Sequence, residues 1–320
     1  MRAVWLARFG PPEVLALGDA PEPRAGAGQV LVDVEYAGVT FVETQLRAGR
    51  PPHPGMGWAL PVVPGNGVGG VIAATGPGVD PALAGTRVVT ATGGTGGYAE
   101  RAAVPAALPV PVPGAVPMDS AVALLADGRT AIALIRAATP RAGERVLVEA
   151  AAGGVGSLLV QLAHSAGATV IAAAGGPGKL AAARRLGADI AVDYGEPGWL
   201  DLVRRAAGGV DVVFDGVGGT LGRDAFGLVA PGGRMLVFGM ASGSFTGVSD
   251  AEAAARKVTV IRGVPVAPEL ARDLTAAALA EAAAGRLLPV IGQRQPLARA
   301  AAAHAAIESR AVTGKTLLTP

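Results

Sequence analysis

Residues Arg145–Gly156 read RVLVEAAAGGVG, and this stretch decides the fold. Val146–Ala150 is a short apolar run broken only by Glu149, which predicts a strand. Ala151-Ala152-Gly153-Gly154-Val155-Gly156 then breaks the pattern as a glycine turn. Beyond it Leu158, Leu159, Leu162 and Ala166 recur at helical spacing. Strand, glycine turn and helix in this order let backbone N–H groups approach a pyrophosphate at the positive end of a helix. Alone, such a turn is weak support; here both flanking elements are present.

The alternation continues downstream. Strands are expected at Val146–Ala150, Thr169–Ala174, Ile190–Asp193, Val210–Asp215, Gly233–Gly239 and Val258–Val264. Helices are expected between most of them, at Val155–Ala166, Lys179–Leu186, Trp199–Ala206 and Leu221–Val229. Strands joined by crossover helices predict a Rossmann-type doubly wound parallel sheet, an α/β fold. Upstream, the chain reads as short strands and turns. QVLVDVEYAG, 29–38, alternates with period two, and Leu60–Gly76 is expected to form a glycine-rich strand pair. That predicts a second, irregular and mostly β domain. Met118–Ala138 reads as helices around a break at Asp127-Gly128. Glu269–Gly285 and Leu297–Glu308 read as closing helices and Thr313–Leu318 as a last strand, packed with the first domain. The expected division is residues 1–122 with 266–320 for the β domain and 123–265 for the Rossmann-type domain.

The 320 residues carry 27 basic and 25 acidic side chains, and no basic run exceeds a pair, which argues against nucleic acid or an acidic membrane surface. There is no cysteine, so disulfides and thiolate metal sites are excluded. The longest uncharged stretch, Pro51–Val79, is too rich in Gly and Pro to span a bilayer. MRAVWLARFG at the start has no apolar signal segment, so a cytoplasmic location is expected.

With these motifs in place, the chain resembles the medium-chain dehydrogenase/reductase superfamily, and within it the zinc-free quinone oxidoreductases of the zeta-crystallin-like family. The resemblance spans nearly the whole chain. It rests on the order and spacing of QVLVDVEYAGVTFVETQLRAG, LPVVPGNGVGG, GYAERAAVP, DGRTA, VLVEAAAGGVG, KLAAARRLGAD, VFDGVGG, GGRMLVFGMASG and ESRAVTGKTLL. It implies NADPH binding in the Rossmann-type domain, a GroES-like catalytic domain, a substrate cleft between domains and a homodimer. The chain departs from the family where Thr40 stands for a common Asn, Gly67 for a common Glu, and Gln45-Leu46 where a Tyr often falls.

The strand Thr169–Ala174 ends without the carboxylate that grips a ribose 2′-hydroxyl in NAD-selective sites. Lys179 is the candidate partner of a 2′-phosphate. The resemblance pairs it with Tyr194 in that role; a solvated first-turn lysine and a core aromatic are the competing readings. By the same resemblance Thr130 touches the nicotinamide ribose or phosphate, and Gly153, Gly154 and Val155 cradle the pyrophosphate. Gly175, Gly216, Val217, Phe238, Gly239 and Met240 line the carboxyl ends of the strands, and Lys315 reaches the adenosine end.

Catalytic zinc takes His, Cys or carboxylate ligands, and the three histidines, His53, His164 and His304, share no ligand spacing. No metal is therefore expected. No G-x-S-x-G elbow marks a hydrolase. Hydride transfer to a quinone or conjugated enone remains, with Thr40, Gln45 and Arg47 expected to line the cleft. Glu43 reads as a solvated helix charge, against the alternatives of orienting water or bonding the loop of Thr40. An enoyl reductase acting on a biosynthetic intermediate and a non-catalytic dinucleotide-binding protein are the alternatives.

Overall fold

The computed structural model describes residues 1–53, 55–264 and 266–320. It divides into two compact units, Met1–Arg129 with Pro268–Pro320, and Thr130–Ala267. The first division falls at 129/130, seven residues along from the expected 122/123 and within the same continuous helix. The expected division at 265/266 abuts Pro265, outside the described residues.

The first unit opens with strands β1 (Arg2–Leu6), β2 (Leu15–Asp19) and β3 (Gln29–Val39), helix α1 (Phe41–Arg47), and strands β4 (Gly67–Thr75), β5 (Arg87–Ala91), β6 (Arg101–Pro105) and β7 (Val110–Pro111). Helix α2 (Met118–Ala138) carries the chain into the second unit. There follow β8 (Arg145–Glu149), α3 (Gly154–Ser165), β9 (Thr169–Ala174), α4 (Pro177–Arg185), β10 (Ile190–Asp193), α5 (Trp199–Ala207), β11 (Val210–Asp215), α6 (Gly219–Phe226), β12 (Val229–Val237), α7 (Asp250–Ala255) and β13 (Thr259–Arg262). The chain returns to the first unit through α8 (Pro268–Ala283), β14 (Ile291–Pro296), α9 (Ala300–Glu308) and β15 (Lys315–Thr319).

In the second unit the strand order is β10-β9-β8-β11-β12-β13, with every pair parallel. Val146, Leu147 and Val148 are fully buried, because helices cover both faces of such a sheet. One face packs Leu147, Ile171, Val213 and Met235 with Trp199 and Phe226. The order reverses between β8 and β11, and ligands of such sheets bind in the crevice at that reversal.

In the first unit the order is β14-β15-β3-β4-β5-β7, with β6 also on β3. The late strand β15 lies between β14 and β3, with Leu317 opposite Gly38. The expected strand pair over Leu60–Gly76 is corrected: only β4 forms, and the earlier half makes a single bridge, Leu6 to Val62. Pro61 and Pro64 deny that half a continuous ladder. The expected break at Asp127-Gly128 is also corrected, since α2 runs unbroken. A Cβ on Gly128 would stand 2.9 Å from that of Ala278 on α8, so this glycine serves close helix packing. Among the described residues no helix is long and apolar enough to cross a membrane.

Candidate functional site

The glycine turn after β8 behaves as its sequence requires. Ala150 takes φ +48°, turning the chain off the strand. Gly153 is the N-cap of α3 and, having no side chain, leaves the first-turn amides without a side-chain acceptor. A Cβ on Gly156 would collide with the Ala150 carbonyl oxygen, so glycine there lets the helix start against the turn. Gly153, Gly154 and Val155 are half-exposed at this end. An uncapped, glycine-built helix N-terminus fits a pyrophosphate by its open donors and its dipole.

The neighbouring strand ends build the rest of that edge. Ala174 closes β9, and α4 has no acidic residue in its first turn, where Lys179 stands. Tyr194 follows β10 and packs partly on the core, and a Cβ on Gly175 would come 3.6 Å from its ring. Asp193, the last residue of β10, also shapes this edge. It lies opposite Ala174 in register, and its carboxylate accepts the N–H of Gly176 at 2.7 Å and of Gly195 at 2.8 Å. Both its oxygens are thus engaged in shaping the loop. Phe238 is half-buried and lies over Gly216, whose added Cβ would stand 3.0 Å from the ring, while Gly239 and Met240 follow it half-exposed. Val217, expected as a cofactor contact, is buried; its N–H goes to Asp215 and its carbonyl accepts from Ser242. It holds the loop and presents no group outward. Thr130 is half-buried on α2, where the second unit begins.

The first unit holds a second cluster. Thr40 caps α1, accepting the Glu43 N–H at 3.3 Å, while Glu43 Oε2 accepts the Thr40 N–H at 2.6 Å. This capping box, Thr-x-x-Glu, was present in the sequence. Glu43 is corrected from a solvated charge: it is 3% exposed. Its Oε1 accepts the Asn66 N–H at 2.8 Å, and Oε2 also lies 3.3 Å from the Tyr98 hydroxyl. Burial raises its pKa, opposed by these hydrogen bonds and by the charge of Lys315. The Tyr98 hydroxyl is in turn 3.1 Å from Nε2 of His304, which is fully buried and edge-on to the Tyr98 ring.

Thr40 lines a pocket with Asn66, Ala91, Leu125, Arg129 and Lys315. Lys315, expected at the adenosine end, is among the residues that line this pocket. It belongs to the first unit, is 4% exposed, and its ammonium lies 3.2 Å from Asp127. Gln45 and Arg47 do not line this pocket. Gln45 is buried and donates to Thr44 Oγ1. Arg47 is 1% exposed and donates to the Gly10 carbonyl and to Glu308, so it ties α1 to α9. A partner 261 positions away gives no local signal.

Comparison with known proteins fits this geometry. The family profile described as an alcohol dehydrogenase GroES-like domain matches residues 26–114, and that described as a zinc-binding dehydrogenase matches residues 154–281. The chain belongs to the medium-chain dehydrogenase/reductase family, and within it to the quinone oxidoreductase type. It is 34% identical to the quinone oxidoreductase of Rattus norvegicus, covering 99% of this chain and 97% of that protein. It is 32% identical to that of Pseudomonas aeruginosa, covering 100% and 99%. Among solved structures, the Escherichia coli quinone oxidoreductase complexed with NADPH gives TM-score 0.91 at 28% identity over the whole of both chains. A mycobacterial protein complexed with NADPH gives 0.89 at 34%, again over both whole chains.

The zinc in one profile's description does not fit these residues. Among the described residues no three His, Cys, Asp or Glu side chains converge on a metal-sized site. His304 is engaged with Tyr98, and the His164 ring packs against Gly187.

Proposed function

We propose that this protein is an NADPH-dependent oxidoreductase that reduces a quinone or a conjugated enone without metal assistance. The observation that carries the reading is whole-length likeness to quinone oxidoreductases and to proteins solved with NADPH. Bound NADPH supplies a hydride, and the chain's own residues bind, orient and exclude water. The open amides of α3 at Gly153–Val155 take the pyrophosphate, and Lys179 with Tyr194 takes the 2′-phosphate. Gly175, Gly216, Phe238, Gly239 and Met240 shape the crevice along the strand ends, and Thr130 borders it. Thr40 and Lys315 line the first unit's pocket, where the Lys315 ammonium offers a charge-assisted hydrogen bond to an acceptor oxygen as negative charge develops there. A homodimer belongs to the same reading: β13 ends the strand order of its sheet and leaves an edge for a second copy.

NADPH oxidation against a panel of quinones and enones tests the reading. Turnover on quinones is expected. Tight NADPH binding with no turnover on any acceptor would replace it with a non-catalytic dinucleotide-binding role, and turnover on enoyl thioesters alone with an enoyl reductase. Sedimentation of the purified protein as a monomer would remove the dimer.

A further inference from the structure

Glu149 and Asp215 end the two strands that flank the reversal of strand order. β8 and β11 are parallel neighbours with Phe214 opposite Val148, so the next pair, Asp215 and Glu149, stands side by side on one face. Both residues are fully buried. Their surroundings differ. Asp215 Oδ1 accepts the Val217 N–H at 3.0 Å and the Gly218 N–H at 2.6 Å, and Oδ2 accepts the Thr246 hydroxyl. Neither oxygen of Glu149 meets a donor. Its polar neighbours are the Asp215 carboxylate and the Val217 amide, which is already given to Asp215. A further charged group acting on it is Asp224 on α6, also negative.

A buried carboxylate whose oxygens find no hydrogen-bond partner, and whose charged neighbours Asp215 and Asp224 are negative, is costly. A single proton removes both problems, because a carboxylic acid donates where a carboxylate cannot. Asp215 accepts hydrogen bonds from three groups that stabilise its anion, so the proton resides on Glu149. We propose that Glu149 is a carboxylic acid in the folded protein, donating its proton to Asp215, and that this pair is a positioning device at the strand reversal. Glu149 leads directly into the glycine turn, and Asp215 holds the Val217–Gly218 turn. The shared proton ties together the loops that begin on either side of the crevice. Burial and the adjacent Asp215 both raise the pKa of Glu149 well above the ordinary carboxyl range. The proposal stands whichever acceptor the enzyme reduces.

Infrared difference spectroscopy and thermal melting test it. At about pH 8 ordinary carboxyl groups are ionised, so a protonated-carboxyl stretch in the wild type is expected to come from Glu149. It should vanish in Glu149→Gln. A folded-state pKa above the unfolded value gives stability that is lost as pH rises. The wild-type Tm should therefore fall relative to that of Glu149→Gln between about pH 5 and about pH 8, because only the wild type must take up a proton to fold. No carboxyl band in the wild type, or parallel Tm curves for the two proteins, would overturn the proposal.

Discussion

The Tyr98 hydroxyl sits 3.1 Å from Nε2 of His304, with the two rings edge-on at a centroid distance of 5.8 Å. The network fixes its direction. His304 donates from Nε2, and Tyr98 donates to the Glu43 carboxylate at 3.3 Å. The Tyr98 hydroxyl itself is held far above its ordinary pKa by burial and by the charge of Glu43. Tyr98→Phe therefore strands a buried imidazole N–H and removes one donor from Glu43. We expect a loss of about 1–3 kcal/mol in urea unfolding. A value near zero would mean that the hydroxyl is dispensable.

His304 predicts acid sensitivity. Burial, with the Arg47 charge beside it, pulls its pKa from 6.5 down to about 3. The unfolded chain takes up the proton first, so stability is full above about pH 6.5 and is lost as pH falls toward about 3. Over about pH 7 to about pH 4.5 the Tm of His304→Gln should fall less steeply than that of the wild type. Curves of equal slope would contradict a neutral buried imidazole.

Arg47 is placed as a structural anchor by its two partners, Gly10 and Glu308. Arg47→Met should cost about 2–3 kcal/mol, below the upper range for a broken buried pair because Glu308 is partly exposed. Turnover per folded molecule should stay within about twofold of the wild type. A collapse of kcat at intact stability would return Arg47 to the reaction.

Lys179 is expected to select the phosphorylated nucleotide. Lys179→Glu should weaken NADPH binding by about 10–100-fold, roughly 1.4–2.7 kcal/mol, with NADH affected far less. Calorimetric titration with both nucleotides reads this directly. An equal loss for both would assign Lys179 to a different part of the ligand.

Gly156→Ala tests the glycine turn. The added methyl meets the Ala150 carbonyl, a backbone atom that cannot swing aside. A loss of about 1–3 kcal/mol is expected, together with weaker nucleotide binding. An unchanged melting curve would show that the turn relaxes freely.

The second unit was legible in the sequence because its signals are local. The run Val146–Glu149, the glycines after it and the leucines of α3 all lie within a few turns of one another. The strand ranges Thr169–Ala174, Ile190–Asp193 and Val210–Asp215 were read to the residue. Several of the misreadings have one cause, which is a partner distant in the chain. Gly128 looks like a break until Ala278 is packed on it. Glu43 looks solvated until Asn66 and Tyr98 close over it. Arg47 looks available until Glu308 takes it. Glu149 looked like an interruption in a strand, and only the parallel register sets it beside Asp215.

Strand β15 also sets an order of assembly. The sheet of the first unit needs residues 315–319 between β14 and β3, whereas the second unit is complete by residue 267. On the ribosome, where segments fold as they emerge, the central portion can finish while the leading portion still lacks an inner strand. The part translated first is completed last, and until then the β3 backbone that will receive β15 stands open to chaperones.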